Sequence, residues 1–165
     1  MTTVTGRAWI FGDRMDTDLL MPMRALERPR EEQPPYVFSA NRPGWSALVR
    51  AGDVIVAGSG FGIGSSRPAA RVLLDLGISV VVATNFNGLF LRNAATAGLP
   101  CLTIPGLNEE IAEGEEVVVD LDRWALTVVV SGRTYEAEPL PLMLRELMTG
   151  GGLVPTLVAQ GYIKG

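Results

Sequence analysis

Val54-Ile55-Val56-Ala57-Gly58-Ser59-Gly60-Phe61-Gly62-Ile63-Gly64-Ser65-Ser66-Arg67-Pro68 is the stretch on which the reading of this 165-residue chain turns. An apolar strand runs into glycines at 58, 60, 62 and 64, and a helical pattern begins at Pro68. Glycine lets a backbone turn sharply and approach a ligand with no Cβ in the way. The free N–H groups and dipole of the coming helix favour an anion at that place. Two hydroxyls and a guanidinium at the mouth point to a small molecule bearing a carboxylate. The plainer reading is a strand-to-helix turn with a serine cap.

Outward from this loop the period is βαβαβ. A helix over 68–76 presents Val72, Leu73 and Leu76 on one face. Residues 78–83 form a near-continuous β-branched run, as expected of a buried parallel strand. A helix over 86–97 closes at Gly98, and a strand over 101–104 follows. Upstream lie a strand over 3–11, a polar turn over 13–18, a short helix over 45–50 and a strand over 53–57. The stretch 27–43, with Pro29, Pro34, Pro35 and Pro43, is long enough to be functional or mobile. Strands at 116–120, 124–130 and 133–137 with short turns read as an antiparallel meander. Helices over 139–149 and 153–160 are separated by Gly150-Gly151-Gly152. The expected fold is α/β: one domain over residues 1–165, with a small parallel βαβαβ core and an antiparallel β layer.

Composition narrows the chemistry. With 47% hydrophobic and 19% charged residues the chain is globular. A net charge of −4 and no basic stripe argue against nucleic acid. Arg24, Arg28 and Arg30 gather in one loop, where a solvated surface is the usual outcome. The chain has no histidine, so Ser-His-Asp, Cys-His and His-metal schemes are excluded within it. Its one cysteine, Cys101, permits neither an internal disulfide nor an iron–sulfur cluster held by this chain alone. Cys101 lies in an apolar run and is expected to be a buried small hydrophobe. No signal peptide opens the chain and no apolar run approaches a membrane span, so a cytoplasmic location is expected.

The loop fails both familiar phosphate signatures. A P-loop ends Gly-Lys-Ser/Thr, whereas this one ends Gly-Ser-Ser-Arg. The third glycine of a dinucleotide fingerprint falls on Ile63 or Ser65, and Ala83-Thr84-Asn85 offers no acid for a ribose. What remains is a serine with an arginine two residues on. A serine alkoxide serves as a base only beside preorganised N–H groups, a helix N-terminus and a cation. The backbone around Gly62 and Gly64 supplies the first two, and Arg67 the third. The arginine fork also suits a carboxylate. Proton abstraction next to a carboxylate fits these residues.

Three blocks, in order, resemble the small subunit of isopropylmalate isomerase, a family corresponding to the swivelling fourth domain of aconitase. Gly12-Asp13-Arg14-Met15-Asp16-Thr17-Asp18-Leu19-Leu20-Met21-Pro22 is similar to its Asp-x-x-Asp-Thr-Asp-x-x-x-Pro block. Phe61-Gly62-Ile63-Gly64-Ser65-Ser66-Arg67 resembles its Phe-Gly-Cys-Gly-Ser-Ser-Arg signature, with Ile63 replacing the cysteine. Asn85 to Asn93, followed by Gly98-Leu99-Pro100, resembles a third block. The resemblance implies a swivelling β/β/α domain that closes over a cluster-bearing large subunit. It implies a 4Fe–4S cluster on that partner, no cofactor in this chain, and a place in leucine biosynthesis. Carried over, Ser65 takes the substrate α-proton, Arg67 binds a substrate carboxylate and Ser66 assists. Gly62 and Gly64 belong to the same cleft.

Some assignments stay open. Asp16, Thr17 and Asp18 either line the cleft, with an acid pairing Arg67, or satisfy backbone donors in a turn. Pro68 suits a first helical position and pushes Arg67 toward extended geometry. In the family the loop after the acidic block meets the substrate's variable substituent, and here it carries Arg24, Ala25, Leu26 and Arg28. An inward Arg24 or Arg28 would favour an extra carboxylate, Leu26 alone an alkyl group; otherwise both arginines face solvent. The substrate expected is a hydroxy-dicarboxylic acid such as isopropylmalate, with an alkyl-malate or homocitrate-like acid as alternatives. A non-catalytic binding or regulatory swivel module is the competing class.

Overall fold

The computed structural model describes residues 2–64 and 67–165. The strands are β1 (Thr3–Ile10), β2 (Val54–Ala57), β3 (Val80–Ala83), β4 (Cys101–Thr103), β5 (Glu116–Asp120), β6 (Ala125–Val128) and β7 (Thr134–Glu136). They form one sheet in the order β4-β3-β2-β1-β5-β6-β7. β1 to β4 pair in parallel, whereas β5, β6 and β7 continue antiparallel from the other edge of β1. The parallel core and the antiparallel strands are thus two halves of one sheet hinged on β1. Every residue of β2 and β3 is buried, as a doubly covered parallel strand requires.

The crossovers are α3 (Ala69–Leu76) and α4 (Gly88–Ala97), which pack against each other. Asn87 caps α4 through Oδ1, which accepts from the Leu89 and Phe90 N–H groups, and Gly98 ends it in the left-handed region. α6 (Leu142–Thr149) and α7 (Leu153–Ala159) pack on α4. Three one-turn helices, α1 (Thr17–Leu20), α2 (Met23–Leu26) and α5 (Leu107–Glu110), are invisible in the sequence pattern because four residues hold no helical period.

Pro68 departs from expectation. It is the N-cap of α3, not its first residue, because its ψ of 48° is not helical and the Ala69 N–H turns back to the Arg67 carbonyl at 2.7 Å. The proline-rich stretch is ordered by short 3₁₀ turns and by Gln33, which is buried. Gln33 donates to the Arg28 carbonyl at 3.0 Å and accepts from Arg71 of α3 at 2.6 Å. Phe38 and Trp45 from this region join Trp9 of β1 and Phe11 just after it in one aromatic cluster. Cys101 is buried in β4, and burial pushes its thiol pKa up. No helix among the described residues is long and apolar enough to cross a membrane.

Candidate functional site

The carboxyl ends of β1, β2 and β3 lie side by side, the position where parallel sheets place their ligands. From them run three segments: 11–18, the glycine loop 58–64, and 84–87. Hydrogen bonds join the first two in register. The Gly58 N–H donates to the Gly12 carbonyl at 3.0 Å, and the Arg14 N–H to the Ser59 carbonyl at 2.7 Å. The Gly62 N–H donates to the Met15 carbonyl at 2.8 Å, and the Thr17 N–H to the Ile63 carbonyl at 2.9 Å. Asp13 Oδ1 accepts from the Ser59 N–H at 2.8 Å. On the other flank, Asn85 Oδ1 accepts from the Gly60 N–H at 2.7 Å, and Phe61 bridges to Phe86 in parallel.

Close approach explains the glycines. Gly62 and Gly64 have φ values of +79° and +120°, a region that L side chains rarely adopt. A Cβ on Gly62 would collide with the Phe90 ring, and one on Gly64 would stand 2.8 Å from Thr17 Oγ1. Phe90 is itself packed edge-on against Phe61 and stacked with Phe86. A substituted loop could not close against segment 13–18.

The acidic block divides its work. Asp16 caps α1, its Oδ1 accepting from the Leu19 N–H at 2.9 Å, which is the turn role. Thr17 is buried against Gly64. Asp18 pairs with Arg67 at 2.8 Å, the pairing role, while Arg67 Nη1 donates to the Met21 carbonyl at 2.8 Å. Arg67 is thus held by its two terminal nitrogens at the end of the glycine loop. Ser65 and Ser66, the expected base and its neighbour, lie outside the described residues.

Arg24 and Arg28 gather elsewhere, on a residue that the sequence pattern did not single out. Both guanidiniums lie over the Tyr36 ring, at 5.4 and 5.0 Å from its centroid. Arg24 also donates to Ser39 Oγ at 2.6 Å, and Arg28 pairs with Glu32 at 3.2 Å. Both side chains are exposed. Asp13, which ties down the glycine loop through Ser59, is likewise a role that only the fold reveals. A cleft of about 350 Å³ between α3 and α4 begins at Pro68 and includes Arg71, Asn93 and Thr96. Among the described residues no three histidine, cysteine, aspartate or glutamate side chains gather as a metal site. With Cys101 sealed in the sheet, the described residues do not fit an iron–sulfur cluster.

A glycine loop leaving a parallel strand, locked to an Asp-Thr-Asp turn and ending in a carboxylate-competent arginine, defines an aconitase-type domain. Residues 23–107 match the family described as Aconitase C-terminal domain. Among curated proteins, the chain is 39% identical to 3-isopropylmalate dehydratase small subunit 1 of Methanopyrus kandleri, over 96% of this chain and 94% of that one. It is 37% identical to the isopropylmalate/citramalate isomerase small subunit of Methanocaldococcus jannaschii, over 93% of each. The crystal structure of 3-isopropylmalate dehydratase from M. jannaschii superposes with a TM-score of 0.89, at 34% identity, covering 99% of this chain and 98% of that one. The chain belongs to the 3-isopropylmalate dehydratase small-subunit family, within the aconitase C-terminal domain group.

Proposed function

We propose that this chain, acting over residues 1–165 as a single swivel domain, is the small subunit of a two-chain hydro-lyase that isomerises a hydroxy-dicarboxylic acid of the isopropylmalate type. The observation that carries the reading is Arg67, fixed by Asp18 and the Met21 carbonyl at the end of a glycine loop that tolerates no side chain. Similarity to named small subunits over nearly the whole chain supports it. A large subunit brings the 4Fe–4S cluster, whose chemistry would assist departure of the substrate hydroxyl. This chain supplies the proton chemistry.

Ser65, two residues before Arg67, removes the α-proton as an alkoxide. The electron pair of that C–H bond becomes the C=C bond as hydroxide leaves, so that the proton on Ser65 and the hydroxide together make up the water eliminated. Addition of water to the adjacent carbon, with return of the proton, completes the isomerisation. Arg67 and Ser66 hold a carboxylate through this exchange, and the close-packed backbone at Gly62 and Gly64 lines the cleft. Arg24 and Arg28, gathered on Tyr36, set which third substituent is accepted. The enzyme works in the cytoplasm, in leucine biosynthesis.

One panel of variants, assayed after assembly with the large subunit, tests the reading. Arg67→Lys weakens substrate binding by roughly 10- to 150-fold, because a point charge cannot replace a fork worth about 1.5–3 kcal/mol. Arg24→Ala and Arg28→Ala change the ratio of kcat/KM between alkyl-malates and tricarboxylic acids. Wild-type binding in Arg67→Lys would remove it from the carboxylate site, and unchanged ratios would remove the two loop arginines from specificity.

A further inference from the structure

Three non-glycine residues among those described have a left-handed backbone: Arg14 (φ 56°), Phe38 (φ 53°) and Trp124 (φ 62°). Phe38 and Trp124 are buried, and their packing accounts for the strain: Phe38 stacks on Phe11, and Arg145 covers Trp124. Arg14 is exposed, and among the described residues no hydrogen bond, ion pair or ring contact holds its side chain there. Its backbone serves the lock on the glycine loop through the bond to Ser59. Asparagine or glycine would do that at lower conformational cost, since both tolerate this region far better than arginine. The backbone role therefore does not explain the side chain.

The charge is equally unexplained. Among the described residues eight arginines meet an acid: Arg7 meets Asp53, Arg28 meets Glu32, Arg30 and Arg71 meet Asp75, Arg42 meets Glu113, Arg67 meets Asp18, Arg123 meets Glu136 and Arg133 meets Glu110. Among the described residues Arg14 meets no acid, carbonyl or ring, in a chain with 18 acids against 14 cations. Its position is specific: its Cα is 3.9 Å from where a Cβ on Gly60 would stand. Arg14 thus flanks the start of the glycine loop and Arg67 its end, one guanidinium free and the other anchored.

We propose that Arg14 is a second carboxylate-binding residue of this site, taking the carboxylate of the diacid that Arg67 does not hold. The inference rests on the proposed function, since it presumes a dicarboxylic substrate at this loop. A left-handed arginine then stands at the loop's entrance with a guanidinium that no described residue pairs, as the anchored Arg67 stands at the loop's end. The strain is kept because the ligand uses it.

The test uses Arg14→Asn, which keeps a residue suited to the backbone while removing the charge, and Arg14→Lys, which keeps a charge without the fork. Each is assembled with the large subunit and assayed with 2-isopropylmalate, alongside measurements of subunit affinity and Tm. In Arg14→Asn, KM rises about tenfold or more, as loss of a charged hydrogen bond implies, with the effect falling mainly on KM. Arg14→Lys recovers part of it, and Tm and subunit affinity hold. A wild-type KM in Arg14→Asn overturns the inference and leaves the proposed function standing. Weakened subunit association with KM unchanged at saturating partner also overturns it, making Arg14 a docking residue. Absence of turnover in the wild-type assembly overturns the proposed function, and this inference with it.

Discussion

Ser65→Ala reduces turnover of the assembled two-chain enzyme by about 10²- to 10⁴-fold, the range expected when a general base is removed. Serine is a poor base in water, so its use requires an environment that stabilises the alkoxide. The glycine loop is built to offer one: a tightly turned backbone locked to Asp13, Asn85 and segment 13–18, a helix beginning at Ala69, and the Arg67 guanidinium two residues along. Those partners remain in the variant, so substrate still binds and the loss falls on kcat. The variant folds and assembles as wild type does, which circular dichroism and gel filtration check. A kcat near the wild-type value would reduce Ser65 to a helix-capping residue and end the mechanism.

Asp53→Ala lowers stability by about 3 kcal/mol, or roughly 6–12 °C in Tm for a chain of this size. Asp53 is 2% exposed and collects donors from three places. Arg7 gives Nε and Nη2 at 3.2 and 2.7 Å, Trp9 gives Nε1 at 2.8 Å, and the Arg50 N–H donates at 2.9 Å. Removal leaves a buried indole N–H and a backbone N–H without partners, and Arg7 without its counter-charge. Burial alone would raise this carboxyl's pKa, but the Arg7 guanidinium and the Arg50 and Trp9 donors outweigh it and hold the pKa below the usual value. A carboxyl lowered in the folded state stabilises above its unfolded pKa and loses that contribution as pH falls toward the folded one. Wild-type stability therefore declines below about pH 4, and Asp53→Asn flattens that decline. Thermal melts from pH 7 to pH 3 check both, and an Asp53→Ala Tm within a degree of wild type would refute the role.

Legibility followed the range of the interactions. Strands β2 and β3, helices α3 and α4 and the glycine loop between them were readable because their signals are local: β-branched runs, a helical period, glycine at 98. The meander was readable from its turns, but its continuity with the parallel strands was not. That rests on β1 pairing Val4 with Val119 on one edge and Trp9 with Ile55 on the other, across long sequence separations. The same limit hid Asp53, which reads as an ordinary strand start until Arg7 and Trp9 arrive beside it.

At the site, the acidic block could be read as either a turn or an arginine partner, and it is both. Asp16 answers a donor three residues away, whereas Asp18 answers Arg67 through the fold. Arg14 gave no sign in sequence, because a left-handed φ at arginine has no compositional signature. Tyr36 was lost among prolines, although it gathers Arg24 and Arg28. Pro68 was misplaced by one position because its φ suits a helix while its ψ does not.

The central claim is that this chain supplies half of a catalytic site. The direct measurement mixes the purified chain anaerobically with a cluster-bearing large subunit of the same family and 2-isopropylmalate, following the absorbance of the unsaturated acid. The account predicts no turnover by either chain alone and turnover by the mixture, saturating with this chain. Robust activity from this chain by itself, or none from a mixture whose subunits demonstrably associate, would contradict it.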